Sequence, residues 1–200
     1  PDPAQQLVER DVIRAHEAET KPVAWIENGP KISGLKFGPD GKLYAATQGQ
    51  GTNNAKKIIV IDPATKAIET VATDVQPNDL VVSKDGFIYF TDTGAGTVVK
   101  LPTNARNLSR PRFGDRDIKA SNAVRFGLLG GGGYDIVADG IKAPNGIALS
   151  PDHRMLVVSE YGGTNAWSFL ITTDGWLKGG EKSMELRAPV GKSDSGGDGM

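Results

Sequence analysis

The sequence predicts an all-β protein, and three observations support this prediction. The 200 residues include 26 Gly and 12 Pro, about a fifth of the chain, against a usual share of roughly an eighth. Hydrophobic residues make up only 38% of the chain, and Val, Ile and Leu recur in short runs separated by turn-forming residues. The strongest observation is an internal repeat, because the same hairpin pattern occurs three times.

The three repeats align without gaps, and each predicts a β-hairpin. They begin at Ser33, Asn78 and Asn145 and read SGLKFGPDGKLYAAT, NDLVVSKDGFIYFTDTG and NGIALSPDHRMLVVSEYG. Each has an apolar run, a turn and a second apolar run. The turns all place Asp at the same position, where its side chain can bond its own backbone; they are Pro39-Asp40-Gly41, Lys84-Asp85-Gly86 and Pro151-Asp152-His153. The second runs are predicted strands, namely Leu43–Thr47, Ile88–Thr91 and Met155–Val158.

The spacing of the repeats predicts a β-propeller. A fourth copy begins at Asp198, since Asp198-Gly199-Met200 matches the start of the other copies. The successive spacings are then 45, 67 and 53 residues, and periods near 40–50 with several strands each are typical of propeller blades. We therefore interpret residues 1–200 as a single propeller domain. Its outer strands are predicted at Lys57–Ile61, Ala67–Ala72, Thr97–Leu101, Ala166–Ile171 and Ser183–Arg187.

Two segments do not follow the repeat. The 67-residue spacing requires an insertion, which we place at residues 103–133 and interpret as a solvated loop at a blade rim. Its arginines leave a lid or an anion-binding loop as the alternative. Residues 1–30 are a lead-in, compatible with a helix up to Glu19 or with a strand around Val12. The chain begins with Pro, so we expect a processed or cut start from which any signal peptide has been removed.

Composition excludes several classes of protein. No apolar stretch approaches ~18 residues, which excludes a membrane span. The net charge is −1 without a basic cluster, which argues against nucleic-acid binding. The absence of Cys excludes disulfides, thiolate metal sites and a Cys nucleophile, and it is compatible with a cytoplasmic or an exported protein. His16 and His153 are too few for a multi-histidine metal site and offer little for a catalytic triad.

Oxygen-bearing side chains lead the predicted innermost strands of successive blades. Asn78, Asn145 and Asp198 occupy equivalent positions, and in a propeller such positions cluster around the mouth of the central channel. Amide and carboxylate oxygens suit Ca²⁺, Mg²⁺ or Mn²⁺, and less decisively Zn²⁺. Taken singly, each residue could instead form a turn or a cap. The register across repeats favours a metal site.

The motifs around these residues resemble the gluconolactonase and senescence-marker-protein (regucalcin-like) family. They are Pro-Asn-Asp-Leu-Val-Val with Tyr-Phe-Thr-Asp-Thr-Gly, Pro-Asn-Gly-Ile-Ala-Leu-Ser-Pro-Asp, and Asp-Ser-Gly-Gly-Asp-Gly-Met, in a region from about Ser33 to Met200. The resemblance implies a six-bladed propeller lactonase with one divalent metal, Ca²⁺ being the favoured ion. It implies that Asn145 and Asp198 are metal ligands and that Asn78 is a ligand or a substrate contact.

The resemblance also implies parts that this chain lacks. Six blades need about 300 residues, so the chain corresponds to roughly four, and we expect residues outside it or another chain to supply the missing blades. The family's metal-binding Glu leads the blade before Ser33, where almost no chain remains. Glu27 is too close to Ser33 to lead a blade, although it could be recruited, and Glu17 and Glu19 have no better support.

The function that the resemblance implies is metal-dependent opening of a sugar-type lactone. The metal would polarise the carbonyl, Asp198 would help to deprotonate the attacking water, and Asn78 would position the substrate. Asp79 is predicted to support the site, and His153 to lie at the surface. The alternatives are organophosphate or phosphoester hydrolysis at the same metal, with Asp198 as nucleophile, and a non-catalytic binding module, which the missing Glu favours.

Overall fold

A computed structural model describes residues 23–49, 55–109 and 134–199. These residues form three sheets, antiparallel apart from one short parallel pairing, and no helix, which confirms the all-β prediction. The first sheet contains β1 (Ile32–Phe37), β2 (Leu43–Thr47), β3 (Ile58–Ile61) and β4 (Ile68–Thr73). The second contains β5 (Pro77–Val82), β6 (Phe87–Asp92), β7 (Thr97–Pro102) and β9 (Asp135–Ala138). The third contains β10 (Pro144–Leu149), β11 (Met155–Glu160), β12 (Asn165–Ile171) and β13 (Leu177–Glu185), and the short β8 (Leu108–Ser109) joins the first sheet.

The three predicted hairpins are the first two strands of the three sheets, and their turns have the same geometry. Each turn closes with a backbone hydrogen bond across three residues, from Gly41 to Gly38, from Gly86 to Ser83 and from His153 to Ser150. The donor residue has a positive φ each time, 75° at Gly41, 80° at Gly86 and 60° at His153. Glycine adopts this conformation without steric cost, and His153 adopts it with a side chain. The aligned turns of the sequence are therefore one turn used three times.

The second sheet is buried on both faces, because it lies between the other two. Side chains alternate along a strand, and in β6 this alternation divides the residues between two cores. Ile88 and Phe90 pack towards the first sheet, while Tyr89 packs towards the third. All three are fully buried. The continuous apolar run of β6 thus reflects a strand with no solvent-facing side.

The outer strands were harder to predict than the hairpins. β13 begins at Leu177 and not at the predicted Ser183. The sequence did not indicate this start, because the strand is largely exposed, contains two glycines and has no alternation of apolar residues. β8 pairs parallel to β4, with Ala72 opposite Leu108, so the chain touches the first sheet before β9 completes the second. The remainder of the predicted insertion, residues 110–133, and residues 1–22 of the predicted lead-in lie outside the described residues.

The faces of the first and third sheets that point away from the second both carry exposed apolar residues. On the first sheet this face is buried at its centre, where a cluster packs against Ile26, and the exposed residues lie on β1; the cluster is Leu43, Ala45, Ile59 and Ile61. Leu35 and Phe37 are 45% and 66% exposed and lie opposite Ala45 and Leu43 of β2. In the third sheet, Met155 lies opposite Leu170, which is 58% exposed. Across the described ranges, the chain contains no helix with the length and apolarity needed to span a membrane.

Candidate metal site at the leading ends of the first strands

The first strands of the three sheets lie side by side, and each is irregular at the same point. The pairing register shifts between Ile32 and Gly34 in β1, between Pro77 and Leu80 in β5, and between Pro144 and Ile147 in β10. Such bulges redirect the side chains at the end of a strand. They contain three of the four equivalent positions found in the repeats, which we call the leading residues: Ser33, Asn78, Asn145 and Asp198.

Close contacts between neighbouring strands confirm the register of the repeats. A Cβ added to Gly34 would lie 2.5 Å from Asp79 Oδ1, and one added to Gly146 would lie 2.6 Å from the carbonyl carbon of Gly199. Each glycine therefore abuts the equivalent residue of the next repeat. The structure thus brings Asn78 and Asn145 onto neighbouring strand ends, and it places Gly199, the residue after Asp198, against Gly146, the residue after Asn145.

Hydroxyl groups join each sheet to the leading end of the next repeat. Ser33 donates a hydrogen bond to the carbonyl oxygen of Asn78. Thr91 donates to the carbonyl oxygen of Asn145 at 2.6 Å, and Ser159 donates to that of Gly197 at 3.0 Å. Thr91 and Ser159 are buried. These bonds fix the backbone that carries the predicted ligands.

Asn145 has the environment expected of a metal ligand. Its side chain is 6% exposed, and its Oδ1 atom is the one buried side-chain oxygen or nitrogen without a hydrogen-bond partner in the part of the chain that the structure describes. An unsatisfied buried polar atom costs about 1–3 kcal/mol. A cation at Oδ1 would offset that cost, so the residues present fit the metal that the sequence predicts.

The other two predicted ligands are more accessible. Asn78 is half-buried and Asp198 is exposed. Within residues 23–49, 55–109 and 134–199, no group of three or more His, Cys, Asp or Glu side chains could hold a metal. A site at the leading ends would therefore combine amide with carboxylate oxygens, which suits hard cations. The ligand and catalytic roles of these three residues remain predictions.

Asp79 is a buried carboxylate in the middle of this arrangement. It accepts hydrogen bonds from the backbone N–H groups of Leu80 at 2.8 Å and of Ile147 at 3.4 Å. Burial raises the pKa of Asp79 above its ordinary value; these two N–H groups and Lys36 oppose that rise, and the charge of Asp198 adds to it. The contact with Ile147 joins the second sheet to the third.

The remaining candidates lie away from the leading ends or outside the described residues. Glu27 is exposed in a turn before β1. His153 Nδ1 accepts a hydrogen bond from the backbone N–H of Lys84 at 2.9 Å, so it links two hairpin turns. Glu17, Glu19 and His16 are outside the described residues.

Sequence reasoning missed two further buried acids, Asp92 at the end of β6 and Glu160 at the end of β11. Asp92 accepts a hydrogen bond from the N–H of Ala95 at 2.9 Å. Glu160 accepts from the Trp167 indole at 2.8 Å and from the Asn165 amide at 3.0 Å. Asp92 thus holds the turn that follows β6, while Glu160 reaches across the turn after β11 to side chains of β12. The signal was present in the sequence, because Thr91-Asp92 and Ser159-Glu160 each place a hydroxyl before an acid at the same point of the repeat.

Comparison with known proteins identifies the family. The gluconolactonase of Zymomonas mobilis is 34% identical to this chain over 155 residues, which cover 73% of the chain and 38% of that protein. The chain belongs to the gluconolactonase family. It spans about two fifths of the length of this curated relative. No protein-family model matches the sequence.

Solved structures of similar shape agree on the fold. The periplasmic gluconolactonase of Pseudomonas aeruginosa matches with a TM-score of 0.52 at 15% identity, over 81% of this chain and 44% of that one. A functionally unknown protein from Desulfotomaculum acetoxidans matches with a TM-score of 0.50 at 16% identity, over 80% and 45%. The fold of this gluconolactonase-family chain is a β-propeller, and the three sheets are three of its blades.

Proposed function

We propose that this chain carries part of the active site of a metal-dependent lactonase that opens a sugar-type lactone. The observation that supports the metal most directly is the buried Asn145 Oδ1 atom without a partner. Membership of the gluconolactonase family supports the reaction class. The proposed cofactor is one divalent cation, with Ca²⁺ favoured by the oxygen donor set and Zn²⁺, Mg²⁺ or Mn²⁺ as alternatives.

Three residues would hold the cation or face the substrate. Asn145 Oδ1 and the Asp198 carboxylate are the proposed ligands, and Asn78 is a ligand or a substrate contact. A bound divalent cation acts as a Lewis acid on a carbonyl oxygen. Asn78 is half-buried, so its amide can orient a lactone by hydrogen bonding.

Asp198 is also the proposed general base. Its side chain is exposed, which leaves its carboxylate oxygens open to a water molecule. In the hydrolysis, a carboxylate oxygen of Asp198 accepts a proton from the water that attacks the lactone carbonyl carbon. The ring carbon–oxygen bond of the ester then breaks, and the ring oxygen leaves as a hydroxyl group after it takes up a proton.

We also propose that further blades complete the propeller, supplied by residues outside this chain or by another chain. Exposed apolar residues on the outer faces of the first and third blades support this. Leu35 and Phe37 on the first blade, and Met155 and Leu170 on the third, are exposed. Large exposed apolar patches mark surfaces that bind another part of the structure. A glutamate from such a blade would complete the oxygen ligand set.

The experiment that tests this proposal measures hydrolysis of a sugar lactone by purified protein, before and after metal removal with EDTA. We expect activity to fall at least tenfold without metal and to return when Ca²⁺ is added. Asp198→Asn should abolish the hydrolysis that Ca²⁺ restores. Asp139→Asn, at an exposed position in the loop after β9, should leave that hydrolysis unchanged. Metal-independent hydrolysis would contradict the proposal. Faster hydrolysis of an organophosphate than of any lactone would contradict the substrate class.

A further inference from the structure

Asp79 differs from every other residue at its position in the repeat. The residues that directly follow the leading residues are Gly34, Asp79, Gly146 and Gly199. Three of the four have no side chain. Asp79 does have a side chain, and the residue is buried, with only 7% of its surface exposed. Burial of a carboxylate costs free energy, so a buried Asp at a position where the other repeats have Gly indicates a specific role.

The contacts of Asp79 reach Asn145 from two directions. Its carboxylate accepts the N–H of Ile147, two residues after Asn145, at 3.4 Å. Its own N–H donates to Thr91 Oγ1 at 3.2 Å, and that hydroxyl donates to the carbonyl oxygen of Asn145 at 2.6 Å. The backbone that follows the Asn145 side chain, from its own carbonyl group to the N–H of Ile147, is therefore tied to the residue that follows Asn78.

Gly34 of the first blade packs closely against Asp79. A methyl group on Gly34 would lie 2.5 Å from Asp79 Oδ1 and 2.9 Å from Asp79 Cα, both shorter than any normal contact. Because Gly34 has no side chain, it leaves room for the Asp79 side chain. The two carboxylate oxygens accept the N–H groups of Leu80 and Ile147.

We propose that Asp79 is a positioning residue that fixes the distance between the Asn78 and Asn145 side chains and thereby sets the affinity of the site for its cation. This inference rests on the proposed function, because it assumes that Asn145 is a ligand. Only a carboxylate fits the role, since each of its oxygens accepts one backbone N–H. An asparagine has one accepting oxygen, and its NH₂ group would face the second N–H.

The test compares Asp79→Asn and Gly34→Ala with Asp85→Asn, an exposed Asp in the hairpin turn of the same blade. The dissociation constant for Ca²⁺ is measured by calorimetric titration of each metal-free protein, together with its thermal unfolding midpoint. We expect Asp79→Asn and Gly34→Ala each to raise the dissociation constant at least tenfold, while the folded fraction at the assay temperature stays above 95%. Asp85→Asn should leave the constant unchanged.

The two site variants separate position from charge. Gly34→Ala displaces the carboxylate but keeps its charge, so a loss of affinity in Asp79→Asn alone would overturn the positioning role. If Asp79→Asn does not fold, Gly34→Ala alone tests the positioning role. A wild-type dissociation constant for Ca²⁺ in Gly34→Ala would then overturn the inference. Wild-type affinity in both variants, with binding lost in Asn145→Ala, would overturn this inference and leave the proposed function standing. Absence of Ca²⁺ and Mn²⁺ binding in the wild type would overturn both.

Discussion

The leading ends of β1 and β10 share a backbone and differ in chemistry. Both consist of a polar residue followed by glycine, both lie at a bulge, and both glycines press against the next repeat. Ser33 is exposed and gives its hydroxyl to the carbonyl oxygen of Asn78. Asn145 is buried, and its side-chain oxygen has no partner.

This difference shows where function is separated from architecture in a repeat fold. The bulge and the close glycine contact recur because they let neighbouring first strands approach each other. A side chain whose hydroxyl has a hydrogen-bond partner in the protein, as that of Ser33 does, adds stability. A buried side chain that remains unsatisfied, as Asn145 does, costs stability, and a bound ligand offsets that cost.

The largest effect is expected from Asn145→Ala, which removes the unsatisfied oxygen. We expect its dissociation constant for Ca²⁺ to rise at least 100-fold, equivalent to about 2.7 kcal/mol. The metal-free protein should be no less stable than expected for a small cavity, because no hydrogen bond to Oδ1 is lost. Calorimetric titration checks the first expectation and thermal unfolding the second, with the exposed Asn104→Ala as control. Unchanged Ca²⁺ affinity would remove Asn145 from the site.

Thr91→Val should cost stability on both sides of the blade boundary. The buried hydroxyl accepts the Asp79 N–H and donates to the Asn145 carbonyl oxygen. Valine keeps the shape and leaves these groups unpaired, so we expect the free energy of unfolding to fall by about 1–3 kcal/mol. Urea denaturation measures this, with Thr70→Val in β4 as control. A loss no larger than that of the control would show that the hydroxyl bridge does not stabilise the junction.

Glu160→Gln should produce a pH-dependent effect on the third blade. Burial alone would raise the pKa of Glu160, but hydrogen bonds from Asn165, Trp167 and the Lys142 N–H hold the pKa below its ordinary value. A lowered pKa in the folded state stabilises the protein above the unfolded pKa, and this contribution is lost as the pH falls through the folded pKa.

We therefore expect Glu160→Gln to lower the free energy of unfolding by about 1–3 kcal/mol at pH 7. The difference from wild type should shrink as the pH falls below the ordinary glutamate range. Denaturant titrations between pH 7 and pH 3 measure it, with the exposed Glu181→Gln as control. A difference that stays constant over this range would show that the charge of Glu160 is not what stabilises the turn.

The smallest effect is expected from Ser33→Ala. It removes one hydroxyl bond to the Asn78 carbonyl oxygen, and because this site is exposed, water can replace the donor. We expect a loss of about 0.5–1.5 kcal/mol in chemical denaturation and no change in Ca²⁺ affinity. A tenfold weaker affinity would mean that the leading end of the first blade contributes to the site as the third does.

The sequence predicted the hairpins and their register because local patterns determine both. The turn residues, the alternating apolar positions and the repeated Asn or Asp at the strand starts are all visible without a structure. The pairing of β8 with β4 and the role of β9 as the fourth strand of the second blade were not predictable in this way. They depend on contacts between distant parts of the chain, and neither strand has a periodic pattern of its own.

The candidate site was predicted in part for the same reason. Equivalent positions in a repeat must lie on neighbouring strands, so Asn78, Asn145 and Asp198 could be grouped from spacing alone. The alternation of side chains along a strand predicted that Asp79 supports the site. It did not predict that the Asp79 carboxylate accepts the N–H of Ile147 in the next blade. The bulge in β5 and the close approach of Gly34 to Asp79 accompany that contact, and only the folded arrangement shows them.

The metal site at the leading ends is tested most directly by a crystal structure of the protein grown with Ca²⁺, with an anomalous difference map recorded at long wavelength. We expect a peak about 2.3–2.6 Å from Asn145 Oδ1, with a carboxylate oxygen of Asp198 in the same coordination sphere. A map without a peak at the leading ends, with Asn145 Oδ1 hydrogen-bonded to a protein group instead, would contradict it.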